Sequence, residues 1–183
     1  MIYLITNIFM PMVIVGEIMK CSTLQMKVII NHLLKSMIIT DHNKLFKPEL
    51  TPQEMLEAGV FGGNYFKNDV AEFPVKWFKN AKINYNEFDV SLNYFSIKSG
   101  LSMEHWLSKG WIFPEDPLGW FQWYCRYSLG RRLPEVDKVQ IMRWKAYGPR
   151  HKGAIIKNCF KNDFSCRPKQ RQGLLQWAYN PFF

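Results

Sequence analysis

Cations placed beside flat rings are the residue types in this chain with an evident chemical use. Thirteen of the 24 Lys and Arg residues fall between Arg126 and Arg171, against three acids (Glu135, Asp137, Asp163), a net of +10. Immediately upstream, residues 111–127 hold seven aromatics in 17 positions. Like charges repel until an anion relieves them, and a phosphate backbone does so while releasing its own counterions. Aromatic faces beside cations add stacking for unpaired bases. Together they predict a nucleic-acid partner, DNA or RNA, bound with little sequence discrimination. The expected phosphate contacts are Arg126, Arg131, Arg132, Arg143, Lys145, Arg150 and Lys152. Arg167, Lys169 and Arg171 join them, near a predicted helix N-terminus whose N–H groups and dipole also favour phosphate. Trp120 and Phe121 are the expected stacking rings at the rim of an otherwise buried aromatic face. An acidic protein, a ribonucleoprotein neighbour or anionic lipid would suit the same charge, with the membrane the weakest of these.

Other chemistry is thinly represented. Cys159 and Cys166 are separated by six residues, not by the two to four of zinc sites, and Cys125 with His151 would have to join them. No metal site and no cofactor is expected. There is no Gly-x-Ser-x-Gly elbow, Walker loop or His-Glu-x-x-His. Glu115 and Asp116 are adjacent carboxylates, but Asp116 is explained as a helix cap, and His105 and His151 stand alone. No acid, base and nucleophile can be named together. Two alternatives to nucleic-acid binding remain. One is an enzyme acting on a base or a phosphorylated small molecule, with Arg126, Arg131 and Gln122 in a pocket walled by Trp120 and Trp123. The other is a structural subunit docking its basic face inside a larger assembly.

These residues must be positioned by helices. At 183 residues, 48% hydrophobic and 21% charged, the chain is composed like a folded protein, and its 29 aromatics are mostly core. Thr51-Pro52-Gln53-Glu54 has the form of a capping box, opening a helix that stops near Gly59. A helix is expected from about Asn64, and residues 81–99 read either as short strands or as loop-packed rings. Ser102 caps a helix over 103–109. Asp116 and Pro117 open the next, to about Leu129, with Trp120, Trp123, Tyr124 and Tyr127 spaced as one face. Gln122 and Arg126 form a polar pair elsewhere on its surface. Pro134 starts a helix that Gly148-Pro149 should end, short helical pieces follow over 151–160, and a last helix begins at Ser165 or Pro168. The expected fold is mainly α, a compact bundle of crossed short helices over residues 41–183.

Residues 1–40 differ from the rest. Six of nine methionines lie in 1–37, and Ile2–Gly16 is apolar apart from Asn7 and Pro11. That run is short of the ~20 apolar residues a membrane-spanning helix needs. It reads as a weak anchor through residues 1–20, as a loosely attached helix over 21–39, or as an extension with translation starting at Met37. No signal-peptide pattern is evident, so an intracellular, soluble protein with free thiols is expected, and Cys125 should lie among aromatics.

The string Asp116-Pro117-Leu118-Gly119-Trp120-Phe121-Gln122-Trp123-Tyr124-Cys125-Arg126-Tyr127, continued by Gly130-Arg131-Arg132 and later by Cys166-Arg167-Pro168-Lys169-Gln170-Arg171-Gln172, resembles that of an uncharacterised family with no assigned activity. The resemblance spans about residues 45–180. It implies one folded domain and no particular chemistry.

Overall fold

The computed structural model describes residues 23–67 and 70–183, with the side chains at 23–24 and 35–42 left undescribed. The expected anchor in residues 1–20 and the helix start at Cys21 lie outside the described residues. The chain divides into two units, residues 1–42 and 43–183. The protein is mainly helical. Its α-helices are α1 (Thr23–Leu45), α2 (Pro52–Ala58), α3 (Met103–Ser108), α4 (Trp120–Ser128), α5 (Pro134–Asn158) and α6 (Pro168–Gln176). Short 3₁₀ turns lie at Phe61–Gly63, Val75–Phe78 and Val90–Leu92, and no strand occurs among the described residues.

In the first unit, the apolar residues of α1 do not gather on one face, and Val28, Ile30, Leu33 and Leu34 are exposed. Among the described residues, no helix is long and apolar enough to cross a membrane.

The second unit is organised around α4, of which seven of nine residues are buried. Phe46 meets Tyr124, Tyr127 and Trp144 edge-on at 5.0–5.6 Å, the arrangement favoured by aromatic quadrupoles. Trp123 Nε1 donates to Asp137 Oδ1 at 2.8 Å, and the other oxygen of Asp137 accepts the Leu133 N–H, also at 2.8 Å. That carboxylate therefore closes the start of α5. Burial nevertheless raises the Asp137 pKa above its ordinary value. Cys125 is buried in this core, as expected.

Local signals of short range act as written. Thr51 and Glu54 form both bonds of the capping box, and Gly59 ends α2 at φ +102°. Ser102 caps α3 through the His105 N–H. Three expectations are overturned, and one open alternative is decided. The described residues between Asn64 and Pro74 form no α-helix, and Phe66, Phe73 and Trp77 are buried in quick succession. Of the two readings of residues 81–99, loop-packed rings hold: the segment is loop and a 3₁₀ turn, with Tyr94 and Phe95 packed on Phe182. α4 begins at Trp120 with Gly119 at its cap, leaving Asp116 outside the helix. α5 runs through Gly148 and Pro149 to Asn158 without a break in its assignment. Gly148 is required there by the Tyr179 ring, which a Cβ would strike. Tyr179 stacks on Trp144 at 4.6 Å and 3° and donates to the Trp144 carbonyl at 2.8 Å, so tertiary packing overrides the local breaker.

α6 is bound to the loops by its polar residues. Gln172, fully buried, accepts the Phe95 N–H and donates to the Gly59 carbonyl, each at 3.1 Å. Arg171 is 0% exposed and donates to the carbonyls of Cys166, Asp163 and Pro181. Cys159 and Cys166 form a disulfide with Cα atoms 5.8 Å apart, contrary to the expectation of free thiols. The two ends of this turn, one capping α5 and one just before α6, are brought within disulfide reach by the packing of those helices.

Candidate functional site

Four residues of α5, Gln140, Arg143, Tyr147 and Arg150, recur at i, i+3, i+7 and i+10 and so share one side of the helix. This side borders a cavity of about 380 Å³, inside the ~300–1,000 Å³ range of small-molecule sites. Trp120 and Trp177 stack face to face at 4.7 Å, and Trp177 stacks on Tyr147 at 4.6 Å and 10°. They make one wall of the cavity. Gly173 lies against the Tyr147 hydroxyl with no room for a Cβ, which lets α6 bring Trp177 into that stack. The segment carrying α3 supplies Leu101, Trp106 and Trp111 to the lining. Burial pushes the Tyr147 hydroxyl up to about 12, so that ring stays neutral. Burial and the neighbouring Arg150 hold His151, which packs on Tyr147 at 4.1 Å, below its ordinary value.

Polar groups in this lining are few. Gln140, 1% exposed, receives Arg143 Nη1 on its Oε1 at 3.2 Å, and its backbone carbonyl receives Trp120 Nε1 at 3.3 Å. Its Nε2 is buried without a partner, one of two such side-chain atoms among the described residues, the other being Arg131 Nε. Arg143 Nη1 also donates to the Trp111 carbonyl at 2.8 Å, fastening that segment to α5. Burial lowers the Arg143 pKa, yet a guanidinium remains charged at any ordinary pH. Gln176 is held between the Ser99 carbonyl and Gln172.

A second cluster surrounds Asp116, which is 0% exposed. Its two oxygens accept Arg126 Nη1 at 3.0 Å and Arg131 Nη2 at 2.6 Å. Arg126 also grips Glu72 with Nε at 2.7 Å and Nη2 at 2.8 Å, a two-pronged ion pair, and donates to the Glu115 carbonyl. Those bonds from Arg126 hold Glu72 below the usual carboxylate range and raise Arg126 in turn. Gln122 is buried and completes the cluster, accepting the Leu118 N–H at 3.0 Å and donating to Glu72 at 3.4 Å. The expected surface pair of Gln122 and Arg126 therefore converges on Glu72, fifty positions or more earlier in the chain.

The ten expected phosphate contacts separate into three groups. Arg126 and Arg131 are committed to Asp116, and Lys152 to Glu49 at 2.6 Å. Arg171 is enclosed and clamped on carbonyls, so it has no surface to offer an anion. Arg132 lies 3.7 Å over the Tyr127 ring and donates to the Tyr127 and Arg131 carbonyls, while remaining exposed. Lys145, Arg150 and Lys169 are exposed, and Arg143 and Arg167 are half-buried. Arg143 and Arg150 meet at the cavity; the rest are not drawn to it. The stacking expectation is corrected: Trp120 is 6% and Phe121 1% exposed, because both rings fill the interior where α4 crosses the unit. The expected pocket of Arg126, Arg131 and Gln122 is occupied by their own carboxylate partners, and Trp123 is wholly buried.

Gln140, Tyr147, Trp106, Trp111 and Trp177 were not singled out from the sequence as site residues. The spacing of Gln140, Arg143, Tyr147 and Arg150 carries the information, but only if α5 is continued past Gly148-Pro149. Compared with protein-family models, curated proteins and solved structures, the chain matches none.

Proposed function

We propose that this protein binds single-stranded nucleic acid, with phosphates along the outer edge of α5 and one unpaired base in the aromatic cavity. The observation that carries the reading is the placement of Arg143 and Arg150 at the border of a space walled by stacked Trp and Tyr rings. Lys157 continues the same row, since 143, 150 and 157 are each seven residues apart and nearly in line on a helix. Successive members stand ~10.5 Å apart along the axis, about three phosphates of a stacked strand. Arginine there offers both charge and a flat face, which suits a base and its phosphate together.

Binding of labelled oligonucleotides, followed by fluorescence anisotropy over a salt series, tests this. Single strands should be preferred to duplex, and log K should fall with log salt at a slope of about −2 for three phosphate contacts. Arg150→Ala should flatten that slope by about 0.7, one contact's share. Retention that ignores salt, or an unchanged slope in the variant, would count against the phosphate track.

The volume of the cavity, about 380 Å³, favours a second reading, that a free phosphorylated heteroaromatic molecule is the ligand. A mononucleotide that competes as well as a ten-residue oligonucleotide would favour it over the polymer.

A further inference from the structure

We propose that the turn closed by Cys159 and Cys166, together with the neighbouring rings of Tyr94 and Phe182, docks on the headgroup layer of an anionic lipid bilayer. This surface is built from residues other than those lining the α5 cavity and goes beyond the reading of that cavity.

The turn is held in one shape. Residues 159–166 leave α5 at its C-terminal cap and return to α6 at Arg167, and the disulfide joins the two ends. Within it the Asp163 N–H donates to the Phe160 carbonyl at 3.2 Å, and the Asp163 carboxylate accepts the N–H groups of Ser165 and Cys166, each at 3.1 Å. A segment fixed this way gives up little freedom on docking. On it Phe160 is 88% exposed. Phe164, in the same turn, meets Phe182 at 5.4 Å, and Phe182 meets Tyr94 at 5.1 Å. These three rings are 36–48% exposed. Exposed apolar side chains scattered singly are ordinary, whereas a connected set marks a contact surface.

The charges around these rings indicate the sign of the partner. Residues 159–171 hold four cations against one acid. Arg171 is enclosed, but Lys161 and Lys169 are exposed and Arg167 is half-buried. Among the described residues none of these three is paired with an acid. Lys82 lies 5.8 Å from the Tyr94 centroid, so a cation flanks that end as well. The partner is therefore anionic and offers apolar depth.

Ring geometry favours lipid over nucleic acid. Phe164 crosses Phe182 at 89° and Tyr94 crosses it at 68°, so the rings do not offer parallel faces to successive stacked bases. Crossed rings suit the boundary between headgroups and acyl chains, which takes up apolar area without demanding register. An amphipathic surface enters that boundary by ~5–10 Å. Lysines there are drawn to anionic headgroups, and a tyrosine keeps its hydroxyl at the wet edge.

The test is co-sedimentation of the full-length protein with vesicles of phosphatidylcholine, alone or with about one part in three of phosphatidylserine. The mixed vesicles should bind at least about tenfold more tightly, and salt should weaken that binding. Phe160→Ser should weaken it by about tenfold or more, the worth of burying one phenyl ring. Phe160→Leu, which keeps apolar bulk, should stay within about threefold of the parent. Lys161→Gln should cost about fivefold on the mixed vesicles and nothing on phosphatidylcholine. Both positions are exposed, so all three variants should melt as the parent does. Absence of vesicle binding would overturn the inference. So would vesicle binding that Phe160→Ser and Lys161→Gln leave unchanged, since another part of the chain would then carry it. Equal losses in the Ser and Leu variants would also overturn it. A Phe160→Ser variant that loses oligonucleotide binding as much as vesicle binding would assign the turn to nucleic acid instead.

Discussion

The Asp116 cluster and the α5 cavity are built from the same materials, arginine, glutamine and aromatic rings, and arrive at different ends. Around Asp116 the fold supplies its own anions. Arg126 and Arg131 share the buried carboxylate, Arg126 fills its remaining capacity on Glu72, and Gln122 uses both ends of its amide. Along the cavity, Arg143 rests on neutral oxygens, and Gln140 ends in a buried donor with no acceptor. Arg131 Nε lacks a partner too, but its guanidinium charge is met by Asp116 at 2.6 Å. A positive string is thus sorted by whether the protein has already answered its charges. The answered part is structural, and the unanswered part is where a ligand has something to gain.

The largest test of this contrast is removal of the buried anion. Asp116→Ala should cost about 3–5 kcal/mol in a denaturant melt, because two guanidinium groups lose their shared partner. A loss under about 1 kcal/mol would erase the distinction between the clusters. Next is the bridge between Cys159 and Cys166, which closes a turn of about eight residues. Its reduction, or a Cys159→Ser/Cys166→Ser pair, should lower stability by about 2–3 kcal/mol on a chain-entropy account. An unchanged unfolding midpoint in reductant would show that packing alone holds the turn. Glu72 offers a test through pH. Its folded pKa lies below its unfolded value, so the unfolded chain binds its proton first on acidification. Stability from this group is complete above the unfolded value near 4.5 and is lost as pH falls below it. Glu72→Gln should therefore be less stable than the parent at neutral pH and flatten the acid limb of the stability curve, measured by melts at several pH values. Smallest of all should be Arg150→Ala, within about 0.5 kcal/mol in stability. Its effect belongs to binding. If it destabilises as Asp116→Ala does, the cavity edge is structural after all.

How far the sequence could be read follows from the range of the interactions. The Thr51 box and the Ser102 cap were legible because each involves residues three positions apart. Cys125 was legible as interior because it stands in a string of aromatics. Asp116 was misassigned because an Asp before a Pro carries a strong local cap signal. Its actual partners lie ten and 15 positions later, on α4 and just beyond it. The Gly148-Pro149 pair likewise presents a local stop, which Tyr179 overrides from 31 positions away. That one misplaced end divided the row of Gln140, Arg143, Tyr147 and Arg150, and hid the candidate site with it. Arg171 could not be recognised as interior, since its acceptors are backbone carbonyls that carry no residue-type signal.

The stack of Trp120, Trp177 and Tyr147 has an optical consequence. Indole and phenol chromophores held a few ångströms apart in one fixed, handed arrangement should produce a strong near-ultraviolet circular dichroism band. Helices that persist without specific packing lose such bands while keeping their far-ultraviolet signal. The molecule thus carries an unlabelled indicator of whether that wall is properly assembled, readable before any partner is added.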